Sequence, residues 1–137
     1  MAYWLVKSEP KKWSWDAQVK AGKTGTFWDG VRNHSAKLNM MAMKMGEQAF
    51  FYHSNEGKAI VGIVKVIKEY YPDHTDASAR FGMVDFRAVK PLIRPVTLDD
   101  AKNEPSLSGM ILVNNSRLSV QPVLPEEWDI ICRMGGL

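Results

Sequence analysis

At 137 residues, with 45% hydrophobic and 24% charged content, the chain has the size and composition of a single folded domain over 1–137, large enough to bury a core without disulfide or metal staples. Disordered and collagen-like classes are excluded, and one cysteine, Cys132, cannot form an internal disulfide. A net charge of +3 permits attraction to polyanions but makes no basic stripe, since Lys11-Lys12 is the only adjacent Lys/Arg pair.

The first apolar run, Tyr3-Trp4-Leu5-Val6, reads as a short buried strand that ends in Lys7-Ser8-Glu9 and stops at Pro10. Ser14 is a fair N-cap for a helix through Lys20, with Asp16 in its first turn and Gly22 to end it. Ser35 to Met45 predicts a second helix with Leu38, Met41, Ala42 and Met45 on its buried face. Ala49 to His53 and Ala59 to Ile67 are predicted strands joined by Ser54-Asn55-Glu56-Gly57, an antiparallel hairpin in which Gly62 marks a bulge or bend. Ile60 to Ile67 carries Lys65 and is far shorter than the roughly 18 apolar residues of a membrane span. Phe81 to Val89 is a further strand, interrupted afterwards by Pro91 and Pro95. Thr97 caps a short helix with Asp100 three residues on, Leu118 and Val120 alternate in a last strand, and Pro125-Glu126-Glu127 starts a final helix that buries Trp128, Ile131 and Cys132. The expected architecture is α+β on a curled antiparallel sheet.

Trp28-Asp29-Gly30-Val31-Arg32-Asn33 places an aromatic, a glycine, a cation and an amide outside any apolar periodicity. Such a loop suits a flat ligand: the Trp28 face stacks, Arg32 answers a phosphate, and Asn33 donates and accepts at a ring edge. A tryptophan beside a glycine equally fits a core residue next to a turn. Free N–H groups at the start of the helix that follows would add local positive potential.

Other chemistry lacks its pattern. Gly22-Lys23-Thr24 has no earlier glycine of a phosphate-binding loop, and His34, His53, His74 and Cys132 lack close metal-ligand spacing, so neither metal nor cofactor is expected. His53 and Ser54 are adjacent on a strand and face opposite sides, so no base–nucleophile pair and no catalytic residue is assigned. The N-terminus shows no signal-peptide pattern, so a soluble, cytoplasmic protein is expected, and the sequons at Asn33-His34-Ser35 and Asn114-Asn115-Ser116 are coincidental.

At Tyr3 to Pro10, Trp28 to Asn33, Phe51-Tyr52-His53-Ser54-Asn55 and Arg117-Leu118-Ser119-Val120-Gln121-Pro122, the sequence closely resembles the EVE domain family over about Tyr3 to Met134. The resemblance implies a PUA-like fold, a curled β-barrel flanked by short helices, with kinship to YTH and ASCH domains. It also implies recognition of a modified nucleobase, a modified cytosine in DNA in particular, flipped into a pocket. Carried over, Trp28 is the stacking wall, Ser8 and Asn33 contact the base edge, and His53, Ser54 and Asn55 line the rim. Arg32 remains the phosphate contact, and His34 stands where many members carry an aromatic.

The expected partner is therefore nucleic acid with a modified base, DNA ahead of RNA, with no membrane and no metal. Two rival readings stay open: an enzyme acting on modified nucleotides, which would draw on Glu9, His53 and Ser54, and a protein-interaction module using the methionines and an exposed Met110-Ile111-Leu112-Val113 segment.

Overall fold

Alternation along the first strand divides its side chains between two apolar layers, and the sheet is built around that division. The computed structural model describes residues 1–115 and 117–137, so Ser116 of the second sequon lies outside the described residues. β1 (Tyr3–Ser8) leads to α1 (Trp15–Lys20), a 3-10 turn over Gly22–Thr24, and the short β2 (Thr26–Phe27). α2 (His34–Ala42), β3 (Gln48–His53), β4 (Ala59–Pro72) and β5 (Gly82–Thr97) follow. α3 (Leu98–Lys102), a 3-10 turn over Pro105–Leu107, α4 (Ile111–Asn114), β6 (Val120–Val123) and α5 (Pro125–Met134) complete the order.

The strands form one six-stranded sheet in the order β2-β5-β4-β3-β1-β6. The α+β class stands, but the antiparallel barrel expected from the sequence is corrected on two counts. β1 and β3 run parallel, with Tyr3 opposite Gln48 and Ser8 opposite His53. Among the described residues no ladder joins β2 to β6, so the sheet is open. The parallel pair follows from the connection: α1, β2 and α2 intervene between β1 and β3, and a crossover of that length replaces the hairpin that antiparallel neighbours use.

Trp4 and Val6 of β1 join Phe51, Val64 and Phe86 in one layer, covered by Trp15, Ala36 and Met40 from α1 and α2. Leu5 joins Phe50, Ile60 and Ile63 in the other, covered by Trp128 and Ile131 of α5. There the Trp128 ring stacks on Phe50 and Tyr3, with centroids 3.9 and 4.4 Å away. Met110 and Leu112, read as part of an exposed segment, are buried in this second layer.

Two other expectations change. The α2 stripe is Ala36 and Met40, continued by Met43, while Leu38, Met41 and Met45 are about half exposed at 51%, 47% and 53%. Both stripes satisfy a 3.6-residue period, and docking against the sheet decides between them. β5 continues through Pro91 and Pro95 because β2 covers only Asp85 and Phe86, leaving the rest an edge where a missing N–H is tolerated. The ladder also jumps there, from Pro91 opposite Gly62 to Val96 opposite Ile60. Gly62 does sit at this irregularity, and the Trp15 ring fills the place of its side chain: a Cβ would lie 2.4 Å from the ring.

Candidate functional site

The end of β1, the turn after it, β2 and the segment before β6 surround a groove of about 740 Å³. Its wall contains Ser8, Trp13, Phe27, Trp28, Ser54 and Ser119, with the cations Lys12 and Arg117 and the acids Glu9 and Asp29.

Hydrogen bonds fix the first wall. The Lys12 and Trp13 N–H groups donate to the Glu9 carbonyl at 2.9 and 3.0 Å, and the Ser8 hydroxyl donates to the Trp13 carbonyl at 2.6 Å. The Trp13 indole donates to Gln18 Oε1 at 2.8 Å, and Gln18, fully buried, donates in turn to the Phe86 carbonyl at 3.1 Å. Trp13 is thus held in place before any ligand arrives, which lowers the ordering cost of binding. Trp28 forms the second wall from inside the core. Its N–H donates to the Val84 carbonyl at 2.8 Å, its ring meets Phe51 and Phe86 edge-on at 5.4 and 5.5 Å, and only 7% of it is exposed. Phe27, 43% exposed beside the His74 ring, forms the outer lip.

The loop after Trp28 is tied down by Asp73, whose side chain has no exposed surface. Asp73 Oδ2 accepts from the Gly30 N–H at 2.9 Å and from Arg32 Nη1 at 3.0 Å, while Oδ1 accepts from the Thr75 N–H and hydroxyl at 2.7 and 2.6 Å. Burial pushes the Asp73 carboxyl up, but the donors from Thr75, Gly30 and Arg32 outweigh it and hold the pKa at about 2. The sequence reasoning missed this residue. Its signal was Asp73-His74-Thr75, a side chain bonding the backbone two residues on.

The structure brings Ser8, Trp28 and Ser54 together in the groove and leaves the other candidates outside its wall. Arg32 reaches Asp73 and, through Nη2, the Thr75 hydroxyl at 3.0 Å, so it clamps the loop. Asn33 Oδ1 accepts from the Ala36 N–H at 2.9 Å as the N-cap of α2. Asn55 occupies a left-handed turn position, φ 65°, in an adjoining recess. His53 lies edge-on to Phe51 at 5.6 Å, and its Nε2 accepts from the Trp15 N–H at 3.0 Å, so it cannot serve Ser54 as a base. Trp13 and Phe27, which the motif reading passed over, take their place.

Burial lowers the His53 pKa below 6.5, with Asp16 opposing in part. An imidazole nitrogen that accepts a backbone hydrogen bond must be neutral, which agrees in sign. A lowered folded pKa means the His53 contribution to stability is complete above about 6.5 and is lost as pH falls through the folded value. The expected NMR titration midpoint of His53 lies below that of an unstructured histidine, and His53→Gln should flatten the stability profile as pH falls below about 6.5. A midpoint at or above the peptide value would show that the Trp15 contact is not maintained.

The EVE domain family model matches residues 2–134. The chain belongs to the EVE domain family. Thymocyte nuclear protein 1 from Gallus gallus is 38% identical over 94% of this chain and 66% of its own length, and that from Homo sapiens is 35% identical over 95% and 72%. The chain thus spans about two-thirds of the length of these curated relatives. Among solved structures, a Rhodopseudomonas palustris protein determined by NMR is 62% identical with a TM-score of 0.94, covering 99% of this chain and 94% of that one. Human THYN1, in a crystal structure with 5-methylcytosine-containing DNA, is 35% identical with a TM-score of 0.93, covering 100% and 99%. A YTH domain from Zygosaccharomyces rouxii, in complex with N6-methyladenosine RNA, has a TM-score of 0.59 at 17% identity, which shows a shared fold. In this EVE domain the groove, bordered by two tryptophans and open to solvent between cations, is the concavity best suited to a planar, charged ligand.

Proposed function

We propose that this EVE domain reads a modified base in DNA, 5-methylcytosine in the first instance, received unstacked in the groove that Trp13 and Trp28 border. The observation that carries the reading is that groove itself: indole walls, short hydroxyls and flanking cations converge in one cavity. The human relative's complex with 5-methylcytosine-containing DNA supports it.

Taking a base out of its stack costs a few kcal/mol, and stacking on an aromatic returns about 1–3 kcal/mol per base. The Asp29 and Glu9 carboxylates in the wall suit the amino donor of cytosine, as does the Ser8 oxygen, which still accepts while its proton is given to Trp13. Burying one methyl contributes only about 0.8 kcal/mol, so preference for the methylated base is expected to be modest. Arg117, and Lys12 whose long surface pair with Glu9 at 3.8 Å is open to exchange, take the phosphate role that the sequence assigned to Arg32, which is committed to the buried Asp73. Arg32 then acts by holding the loop after Trp28, Asn33 caps α2 and His53 holds the start of α1, and no bond-making chemistry is assigned.

The test is anisotropy titration with matched oligonucleotides carrying cytosine or 5-methylcytosine, in DNA and in RNA. Trp13→Ala is expected to weaken the modified DNA by about 1–3 kcal/mol when measured on the folded protein, and to lower the melting temperature as well, since the indole borders the groove and is also the donor to buried Gln18 Oε1. Wild-type protein with no preference for the modified base, or a Trp13→Ala variant that binds as tightly as wild type, would refute the reading.

A further inference from the structure

The base groove does not end at Ser54. Lys7 and Ser54 line both that groove and a neighbouring recess of about 220 Å³, and Asn55, Lys58 and Leu98 line this recess together with a third of about 460 Å³. The three adjoin in a row across the end of β1, the turn between β3 and β4, and the start of α3. The turn is held to α3: Asn55, Gly57 and Lys58 have φ of 65°, 82° and 36°, and the Lys58 carbonyl accepts from the Leu98 N–H at 2.8 Å. That bond places Lys58 and Lys102 on the same wall.

The two recesses beyond the groove carry three lysines, Lys7, Lys58 and Lys102, against one carboxylate, Asp99. Lys58 and Lys102 are exposed and form no ion pair among the described residues. Leu98 and Tyr52 add apolar surface between the cations. A positively charged trough leading away from an aromatic wall is the arrangement that follows a single strand: the aromatic takes a base, and point charges spaced along the trough take successive phosphates without reading sequence.

We propose that this row of recesses carries the phosphodiester backbone on one side of the captured base, with Lys58 and Lys102 as its phosphate-contacting residues. The proposal rests on the base-reading groove described above, because it takes that groove as the point where the strand enters.

The experiment compares wild type with the Lys58→Gln/Lys102→Gln double variant on single-stranded DNA carrying one 5-methylcytosine. One oligonucleotide is a trinucleotide centred on that base, one is extended only on the 5′ side, and one only on the 3′ side, each measured at several salt concentrations. In wild type, extension on one side is expected to raise affinity several-fold and extension on the other to leave it unchanged. The double variant should lose that gain, and its salt slope on the favoured strand should fall by roughly 1.4, about 0.7 for each of two phosphate contacts. Its preference for 5-methylcytosine over cytosine should match wild type. A wild type that gains nothing from either extension, or a double variant that keeps both gain and slope, would overturn the proposal. If wild type shows no preference for 5-methylcytosine while the one-sided gain and its loss in the variant persist, the base reading fails and the strand track stands.

Discussion

Trp28→Ala should lower the unfolding free energy by about 3–5 kcal/mol, as expected for truncating a large aromatic in a core. The ring is almost fully buried, with Phe51 and Phe86 against its faces and edges, so the space it leaves cannot fill without moving two strands. For a domain whose whole stability is of order 5–15 kcal/mol, that is a large share. In urea the midpoint should fall with the slope unchanged, and nucleic-acid binding measured on the folded fraction should weaken as well. Trp28→Phe separates the two roles, since it retains much of the core volume while shortening the groove wall. A Trp28→Ala variant that unfolds at the wild-type midpoint would place the ring outside the core.

Asp73→Ala should cost about 2–4 kcal/mol, because four donors lose a buried acceptor and Arg32 loses its ion-pair partner. The cost is tempered by Arg32, whose side chain is 40% exposed and can be rehydrated. The same residue governs acid behaviour. Its folded pKa of about 2 lies below the ordinary 3.8, so its contribution is present above the unfolded value and is lost as pH falls from about 5 toward 2. The depression corresponds to about 2 kcal/mol for this unexposed carboxylate. Asp73→Asn should therefore show a shallower stability loss across that window. Some slope will remain, because Asp76 is also held at about 2, chiefly by the Ser78 hydroxyl and then by the Phe81, Ser78 and Arg80 N–H groups. An unchanged acid profile in Asp73→Asn would show that the loop clamp does not depend on the charge.

Local signals were legible where one residue decides one bond. Ser14 accepts from the Ala17 N–H, Thr97 and Asp100 close a capping box, and Pro125 opens α5, all as their sequence positions imply. Signals that need the whole sheet were not. The stripe on α2 could be chosen only by what lies beneath it, and the prolines in β5 only by knowing that most of its outer side is an edge. Ser8, Trp28 and Ser54, named by the resemblance, do line one groove, but their neighbours in the chain are not their neighbours there. Arg32 and Asn33 turn away to serve Asp73 and α2, while Trp13 enters because a five-residue turn folds back over Ser8.

The place of β1 between β3 and β6 also bears on how the protein is made. The Lys7 N–H finds its partner in the Ser119 carbonyl, and Trp4 pairs with Pro122, so one side of β1 waits for a segment more than a hundred residues further along the chain. Contacts of such long sequence separation form slowly and leave apolar strand edges exposed in the meantime. Because the groove draws Ser8 and Trp13 from the early chain and Arg117 and Ser119 from the late chain, a growing or prematurely terminated polypeptide has no finished cavity. The groove is therefore complete only once β6 has closed on β1, and its formation reports completion of the sheet.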